Sequence, residues 1–291
     1  MPWNRDEIAE LLLESAAIAR RVKQEMSFEL KPDLSIVTPA DREIEILLSK
    51  RLEDPARGLY LIGEETVAEK GEDYLQAAFR AEAFVVDPID GTAPFAHMLP
   101  NWGISVGRMV NGSLTDGAVY LPETGMGELV ISDGGAVLQG TRSGRSWDWK
   151  ELPPRRDAFN DQGLVAITQN LAKWGKVHLR NPVMVLGAAV VPMVGLVQGR
   201  FLAYIGSVKL WDIAGSLPLI LRHGFAVSVM EGQDRREVSA RVEERTYHLE
   251  PHHPKRWALR SDLVICRPEE ELRFRSSFRH GTGEFFDDKE P

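Results

Sequence analysis

The stretch Ala83-Phe84-Val85-Val86-Asp87-Pro88-Ile89-Asp90-Gly91-Thr92-Ala93-Pro94-Phe95 decides how this chain is read. Its first apolar residues predict a buried strand ending at Asp87. Pro88 biases Asp87 towards extended backbone. Ile89 offers a carbonyl, and Gly91 removes the side chain where a ligand approaches closely. Thr92 is placed to cap a short helix with Pro94 in its first turn. Asp87 and Asp90 then converge at the mouth of a sheet, beside the free N–H groups of a helix start. Carboxylates collect metal cations and N–H groups collect phosphate. An Asp-Pro turn followed by an N-cap is the plainer account of the same residues.

Two further stretches set acids at an element boundary. Leu61-Ile62-Gly63-Glu64-Glu65-Thr66 puts two carboxylates just past a short apolar strand, where an exposed acidic turn would look the same. Leu210-Trp211-Asp212-Ile213-Ala214-Gly215-Ser216 opens a helix, and an anion near a helix start is stabilised by roughly 0.3–1 kcal/mol whatever else it does. Small Ala214 and Gly215 allow close packing of that helix.

Upstream, Arg5–Met26 reads as an amphipathic helix with charge throughout, unlike a secretory leader. Thr38-Pro39-Ala40-Asp41 is a capping-box pattern opening a second helix to about Leu52. Short strands follow at Leu59–Ile62, Ala83–Val86, Ile104–Val110, Gly117–Tyr120, Glu128–Ser132 and Ala136–Leu138, with Asn111-Gly112 as a hairpin signal. Composition shifts around Thr141–Asp157. We expect an α+β lobe over 1–145 and an α/β lobe over 146–291. The second lobe alternates: strands at Gly163–Thr168, near Val177–Leu179, at Phe201–Ile205 and at Phe225–Met230, with helices near Leu171–Gly175, over Leu186–Gln198 and from Leu210 to Arg222. After Glu231 the chain is polar, and Gly281–Pro291 is expected to fray.

The whole chain has 291 residues, 43% hydrophobic and 27% charged, which suffices for a core and excludes disorder as its main state. A net charge of −8 leaves no basic field for a nucleic-acid polymer. The lone Cys266 forbids an internal disulfide and fits a reducing, cytoplasmic setting. The apolar run Val183–Val197 is too short to span a bilayer and contains Pro192. It reads as a buried helix, so no membrane association is expected.

Together, Gly63-Glu64-Glu65, Asp87-Pro88-Ile89-Asp90-Gly91-Thr92 and Trp211-Asp212-Ile213-Ala214-Gly215 resemble the inositol monophosphatase family of the Mg²⁺-dependent, Li⁺-sensitive phosphatases. The resemblance extends to Asp33, Val37-Thr38, Asp41, the hairpin Ser105–Pro122 and Gly187-Ala188-Ala189, and so runs from about residue 5 to 230. It implies a layered α-β-α-β-α sandwich of two lobes, and a homodimer. It also implies that Glu64, Asp87 and the Ile89 carbonyl hold one Mg²⁺. Asp87, Asp90 and Asp212 would hold a second, and Glu64 would touch a weaker third. Phosphate would rest on Gly91 and Thr92 N–H groups, while Thr92 and Asp41 orient the attacking water. For Asp41 the capping box is the competing role. Hard oxygen ligands independently suit Mg²⁺, and nothing calls for zinc.

The sequence departs from the family on the substrate side. Ile205 stands where the family has a glutamate that contacts inositol hydroxyls. Met184-Val185-Leu186-Gly187-Ala188 stands where it has Arg-Ser-x-Gly-Ser. The expectation is hydrolysis of a small phosphate monoester. A sugar bisphosphate, a 3′-phosphoadenosine nucleotide, or metal and phosphate binding with little turnover are the alternatives. Lys209 and the tract Gly140–Ser146 are candidate contacts to a second phosphate, or plain solvated surface. Three other patterns read as decoys. Gly103-Ile104-Ser105-Val106-Gly107 matches a nucleophile elbow without the strand–turn–helix context. His248, His252 and His253 are interrupted by prolines. Cys266 follows an apolar triplet and reads as a small buried hydrophobe.

Overall fold

The computed structural model describes residues 3–24, 28–31, 36–154, 161–231 and 234–280. Asp33 and the terminal segment 281–291 lie outside them. The first half opens with helix α1 (Arg5–Lys23), whose N-cap Asn4 accepts from the Asp6 and Glu7 N–H groups. A short antiparallel ribbon, β1 (Glu29–Leu30) and β2 (Ile36–Val37), leads into α2 (Pro39–Leu52). At its start the Thr38 N–H and hydroxyl both donate to Asp41 Oδ2, at 2.8 and 2.6 Å. Then come β3 (Leu59–Gly63), α3 (Glu72–Arg80), β4 (Glu82–Asp90) and the short α4 (Thr92–Ala96). A meander follows: β5 (Gly103–Val110), β6 (Ser113–Leu121), β7 (Glu128–Asp133), β8 (Ala136–Ser143) and β9 (Ser146–Glu151).

Strands β3 to β9 form one seven-stranded sheet in sequence order, parallel only between β3 and β4. Asn111 and Gly112 at φ 49° and 74° make the turn that closes β5 onto β6, the backbone twist a two-residue hairpin needs. Alternate residues serve opposite faces. Leu61, Phe84, Val86, Ile104 and Val106 pack under α1 and α2. Ile62, Ala83, Val85, Val119 and Val130 face the middle of the molecule. The 145/146 division expected from composition runs between β8 and β9, inside this sheet's last hairpin, where Ser143 pairs Ser146.

The second half comprises β10 (Leu164–Ile167), α5 (Gln169–Trp174), β11 (Gly175–Val177), β12 (Val183–Met184), α6 (Val190–Val197), β13 (Phe201–Gly206), α7 (Leu210–Ala214), α8 (Leu217–Arg222), β14 (Ala226–Glu231), β15 (Asp234–Glu237), β16 (Leu263–Cys266), α9 (Glu271–Ser276) and β17 (Phe278–His280). Its six-stranded sheet runs β12-β10-β13-β16-β14-β15. Helices α6, α7 and α8 share one hydrophobic core with the facing sides of both sheets. Leu171 and Phe274, on α5 and α9, cover the outer side of the second. The result is the expected α-β-α-β-α sandwich.

Several expectations need correction. The apolar run is a helix only over Val190–Val197, while Val183, Met184 and Val185 are 41, 38 and 45% exposed at the sheet's edge. Leu210–Arg222 is two helices, because Gly215 rests against the first sheet and Pro218 suits only a first turn. The strand expected near Val177–Leu179 ends at Val177 and pairs with β17 outside the main sheets. After the polar stretch, β16 inserts between β13 and β14.

Candidate active site

The site begins where β4 leaves the sheet. Register with β5 is regular up to Asp87–Ser105, then jumps to Asp90–Gly103. The irregularity at Pro88-Ile89 re-aims the chain, as bulges do, so Asp87 and Asp90 are brought together. The Ile89 N–H donates to Asp87 Oδ1 at 3.1 Å. Gly91 takes φ +90°, and a Cβ there would lie 2.7 Å from both Ala188 Cβ and the Asn101 carbonyl. Only glycine fits, on both counts.

Asp212 arrives from the other lobe on α7, with its Oδ2 accepting from the Lys209 N–H at 2.8 Å. The helix is held directly on the first sheet. A Cβ on Gly107 would sit 2.4 Å from the Ala214 carbonyl oxygen, and one on Gly117 would sit 2.1 Å from that of Gly215. The Gly215 N–H in turn donates to Ser105 Oγ at 3.2 Å. Asp90 ties in α6, accepting from the Val190 N–H at 2.6 Å. Carboxylate oxygens of Asp87, Asp90 and Asp212 thereby all lie within 4.8 Å of one another.

This is an unfavourable arrangement for three anions alone. Burial pushes all three carboxyls up, and Asp212 reaches about 7. The charge of Glu64 raises Asp87 further, and that of Asp212 raises Asp90. Their hydrogen bonds come from backbone N–H groups. Among the described residues no lysine or arginine forms an ion pair with any of them. A hard divalent cation fits this all-oxygen set and removes the repulsion.

Glu64, just past β3, is less buried and lies beside the triad. Lys31 Nζ contacts its Oε1 at 3.3 Å and Glu65 Oε1 at 2.7 Å. Thr92 Oγ1 lies 3.0 Å from the Ile89 carbonyl and 3.3 Å from Asp41 Oδ1, so Asp41 both caps α2 and reaches the site. Burial raises the Asp41 carboxyl to about 7 against the opposing hydrogen bonds from Thr38. Lys31 and Glu45 escaped the sequence reading. Buried Glu45 accepts from the N–H groups of Glu65 and Thr66 at 2.9 and 2.8 Å and so shapes the acidic turn. Its signal was available, since it follows Asp41 by four positions on a helix and shares its buried face.

A cavity of about 200 Å³ adjoins Asp90 and Asp212, with Thr168, Asn170, Tyr204 and Ser207 in its wall. Gly187 and Ala188 also line it. Ile205 does not: fully buried, it packs with Val165, Ile167, Val264 and Cys266 on the opposite face of β13. Residue 205, expected on the substrate side, is thus a core residue, and Tyr204 presents to the cavity instead. A larger cavity of about 830 Å³ lies between α1 and β9. Its Trp147 and Trp149 indoles already donate to Glu10 and Asp6, and none of the acidic triad lines it. Arg142 of the basic tract pairs with Glu10, away from the triad. Ser105 is buried as a support for Gly215. The His248 and His253 rings stack at 4.0 Å, and Cys266 is fully buried in its sheet.

The chain is similar to known proteins over most of its length. The model of the inositol monophosphatase family covers residues 4–266. The inositol-1-monophosphatase of Bacillus subtilis is 26% identical over 248 residues, 78% of this chain and 86% of its own length. A fructose-1,6-bisphosphatase/inositol-1-monophosphatase of Thermotoga maritima is 26% identical over 201 residues, 68% of this chain and 73% of its own. Among solved structures, an IMPase from Thermotoga maritima superposes with a TM-score of 0.68 at 18% identity, covering 93% of this chain and 94% of that one. That last likeness concerns the fold. With the family matched over nearly the whole length, the chain belongs to the inositol monophosphatase family and is a phosphoric monoester hydrolase.

Proposed function

We propose that the protein hydrolyses a small phosphate monoester with Mg²⁺ held by Glu64, Asp87, the Ile89 carbonyl, Asp90 and Asp212. The observation that carries this reading is the convergence of three carboxylates, Asp87 and Asp90 buried and Asp212 partly so, within 4.8 Å beside a threonine hydroxyl already engaged by a fourth, Asp41. Bound there, Mg²⁺ supplies a Lewis acid that shares phosphate oxygens and eases deprotonation of water. The chain's own residues do the rest. Gly91 and Thr92 N–H groups at the start of α4 receive phosphate oxygens. Thr92 Oγ1 accepts from the attacking water and passes its own proton towards Asp41, whose raised carboxyl suits a proton acceptor near neutrality. Asn170, Ser207 and Tyr204 face the leaving alcohol.

Without the family's Arg-Ser-x-Gly-Ser segment, and with Ile205 turned into the core, inositol 1-phosphate is expected to be hydrolysed no faster than simpler esters. We place the protein in the cytoplasm as a homodimer, on the family resemblance and the single buried cysteine. Phosphate release from a panel of small esters, with Mg²⁺ and with chelator, tests the assignment. Mg²⁺-dependent release from at least one ester is expected, and none from any would overturn it.

A further inference from the structure

We propose that Trp257 is a positioning residue for metal binding: it clamps the turn that delivers Asp212 onto α3 of the other half of the molecule. The inference rests on the phosphatase reading above and deepens it, because Trp257 acts through Leu210 and Trp211. Trp257 lies in the irregular segment between β15 and β16. It is buried, and its φ of +75° is a left-handed conformation that a bulky side chain rarely takes. Such a conformation persists only where the surroundings over-determine it. Here both backbone polar groups of Trp257 are committed. Its N–H donates to the His248 carbonyl at 2.7 Å, and its carbonyl accepts from the Leu210 N–H at 2.8 Å. Leu210 opens α7, and a first-turn N–H has no partner within its own helix. Trp257 thus supplies the missing cap from a remote part of the chain. The bond belongs to a short ladder. The Leu259 N–H donates to the Val208 carbonyl at 3.0 Å, and Lys209 and Ala258 are bridged between. The Lys209 N–H in turn holds Asp212 Oδ2.

The ring completes the clamp. It stacks on Phe79 of α3, with centroids 6.3 Å apart and planes at 16°. It meets the Trp211 ring at 6.3 Å and 44°. The guanidinium of the adjacent Arg256 lies 5.0 Å from the ring centroid and pairs with Glu72 in the first turn of α3. Helix α3 belongs to the first half and α7 to the second, so Trp257 braces one against the other. Trp211 immediately precedes Asp212, and its buried indole N–H has no hydrogen-bond partner among the described residues. Its orientation is therefore set by packing, between the Trp257 ring and the Lys209 ammonium at 5.5 Å. The main-chain contacts at Gly107 and Gly117 seat the body of α7, while Trp257 holds the turn before it. Loss of the Trp257 ring frees Trp211 and that turn, and with them the approach of Asp212 to Asp87 and Asp90.

The test titrates Mg²⁺ calorimetrically into the metal-free wild type, Trp257→Ala, Trp257→Gly, Trp257→Phe and Phe274→Leu. Phosphate release from a small ester and thermal unfolding are measured in parallel. Trp257→Ala removes the ring and leaves the strain, whereas Trp257→Gly removes the ring and adopts φ +75° freely. Phe274→Leu, in the core behind the second sheet, lowers stability away from the α7 turn. Both ring deletions are expected to weaken Mg²⁺ binding about tenfold, although Trp257→Gly melts above Trp257→Ala. At saturating Mg²⁺, kcat should return towards the wild-type value with KM for the ester unchanged. Trp257→Phe should restore most of the affinity, and Phe274→Leu should bind Mg²⁺ as the wild type does. If Trp257→Ala fails to fold, Trp257→Gly decides the point. Wild-type Mg²⁺ affinity in a ring deletion overturns the clamp and leaves the phosphatase intact. Equal weakening in Phe274→Leu shows that affinity follows overall stability, which also overturns the clamp. A wild type that neither binds Mg²⁺ nor hydrolyses any ester overturns the phosphatase reading, and the clamp with it.

Discussion

Asp90 shows how much one side chain carries at this site. It accepts the Val190 N–H, joins the triad and is pushed up by burial and by Asp212. Asparagine keeps the acceptor and removes one buried charge. Asp90→Asn is therefore expected to lower Mg²⁺-dependent turnover by at least about 100-fold while raising the melting temperature of the metal-free protein. Unchanged turnover at saturating Mg²⁺ would remove Asp90 from the ligand set. Li⁺ should compete for the Asp90–Asp212 site, seen as inhibition at millimolar concentration that excess Mg²⁺ relieves. Ile205 yields the opposite kind of prediction. Its side chain is fully buried among Val165, Ile167 and Val264, so Ile205→Glu should cost about 3 kcal/mol or more as an unpaired buried charge, read in a denaturant titration. A variant of wild-type stability with improved inositol 1-phosphate hydrolysis would put residue 205 back at the substrate. Asp87, Asp90 and Thr92 were legible because a strand end, a proline and a glycine fix their directions within six residues. Ile205 was not, because along a strand a shift of one position exchanges the two faces, and counting from Asp212 does not settle which face residue 205 takes.

At the scale of elements, the helices with caps and the strands with turn signals were legible: α1, α2 and the β5–β6 hairpin stand where their sequence puts them. Strands β9 and β16 were not. Ser146–Glu151 is polar and half exposed because it closes an edge, so composition alone assigned it to the neighbouring lobe. Leu263–Cys266 is short and follows a long irregular segment, and only its insertion between β13 and β14 makes it a strand. The seating of α7 on β5 and β6 is the element contact on which the site depends. A methyl group at Gly117 would meet the Gly215 carbonyl oxygen at 2.1 Å, against backbone on both sides. Gly117→Ala is therefore expected to destabilise by about 1–3 kcal/mol and, by moving α7, to weaken Mg²⁺ affinity although it touches no ligand. Calorimetric titration of metal into the variant checks this, and an unaltered affinity would show that the helix is positioned by other contacts.

Across the whole molecule, the raised carboxyls make stability depend on pH in a defined direction. Asp212 titrates near 7 folded against 3.8 as a free side chain, so the native state binds more protons than the unfolded chain between those values. Without metal, stability should rise as pH falls from about 8 towards 5, by several degrees in melting temperature. Saturating Mg²⁺ should raise the neutral-pH value and flatten that slope, since the cation takes the place of the protons. A metal-free protein losing stability steadily over that range would contradict the picture. The contact of α7 with the first sheet has one more consequence. Gly107 and Gly117 meet the Ala214 and Gly215 carbonyls with nothing but main chain between them, so no rotamer can relax to widen the gap between Asp212 and the aspartates of β4. The spacing of the proposed ligands should then act as a fixed gauge that sorts ions by radius. A small octahedral cation with oxygens at about 2.0–2.1 Å suits such a gauge, whereas one demanding about 2.3–2.6 Å and more ligands must strain the chain or sit off-centre.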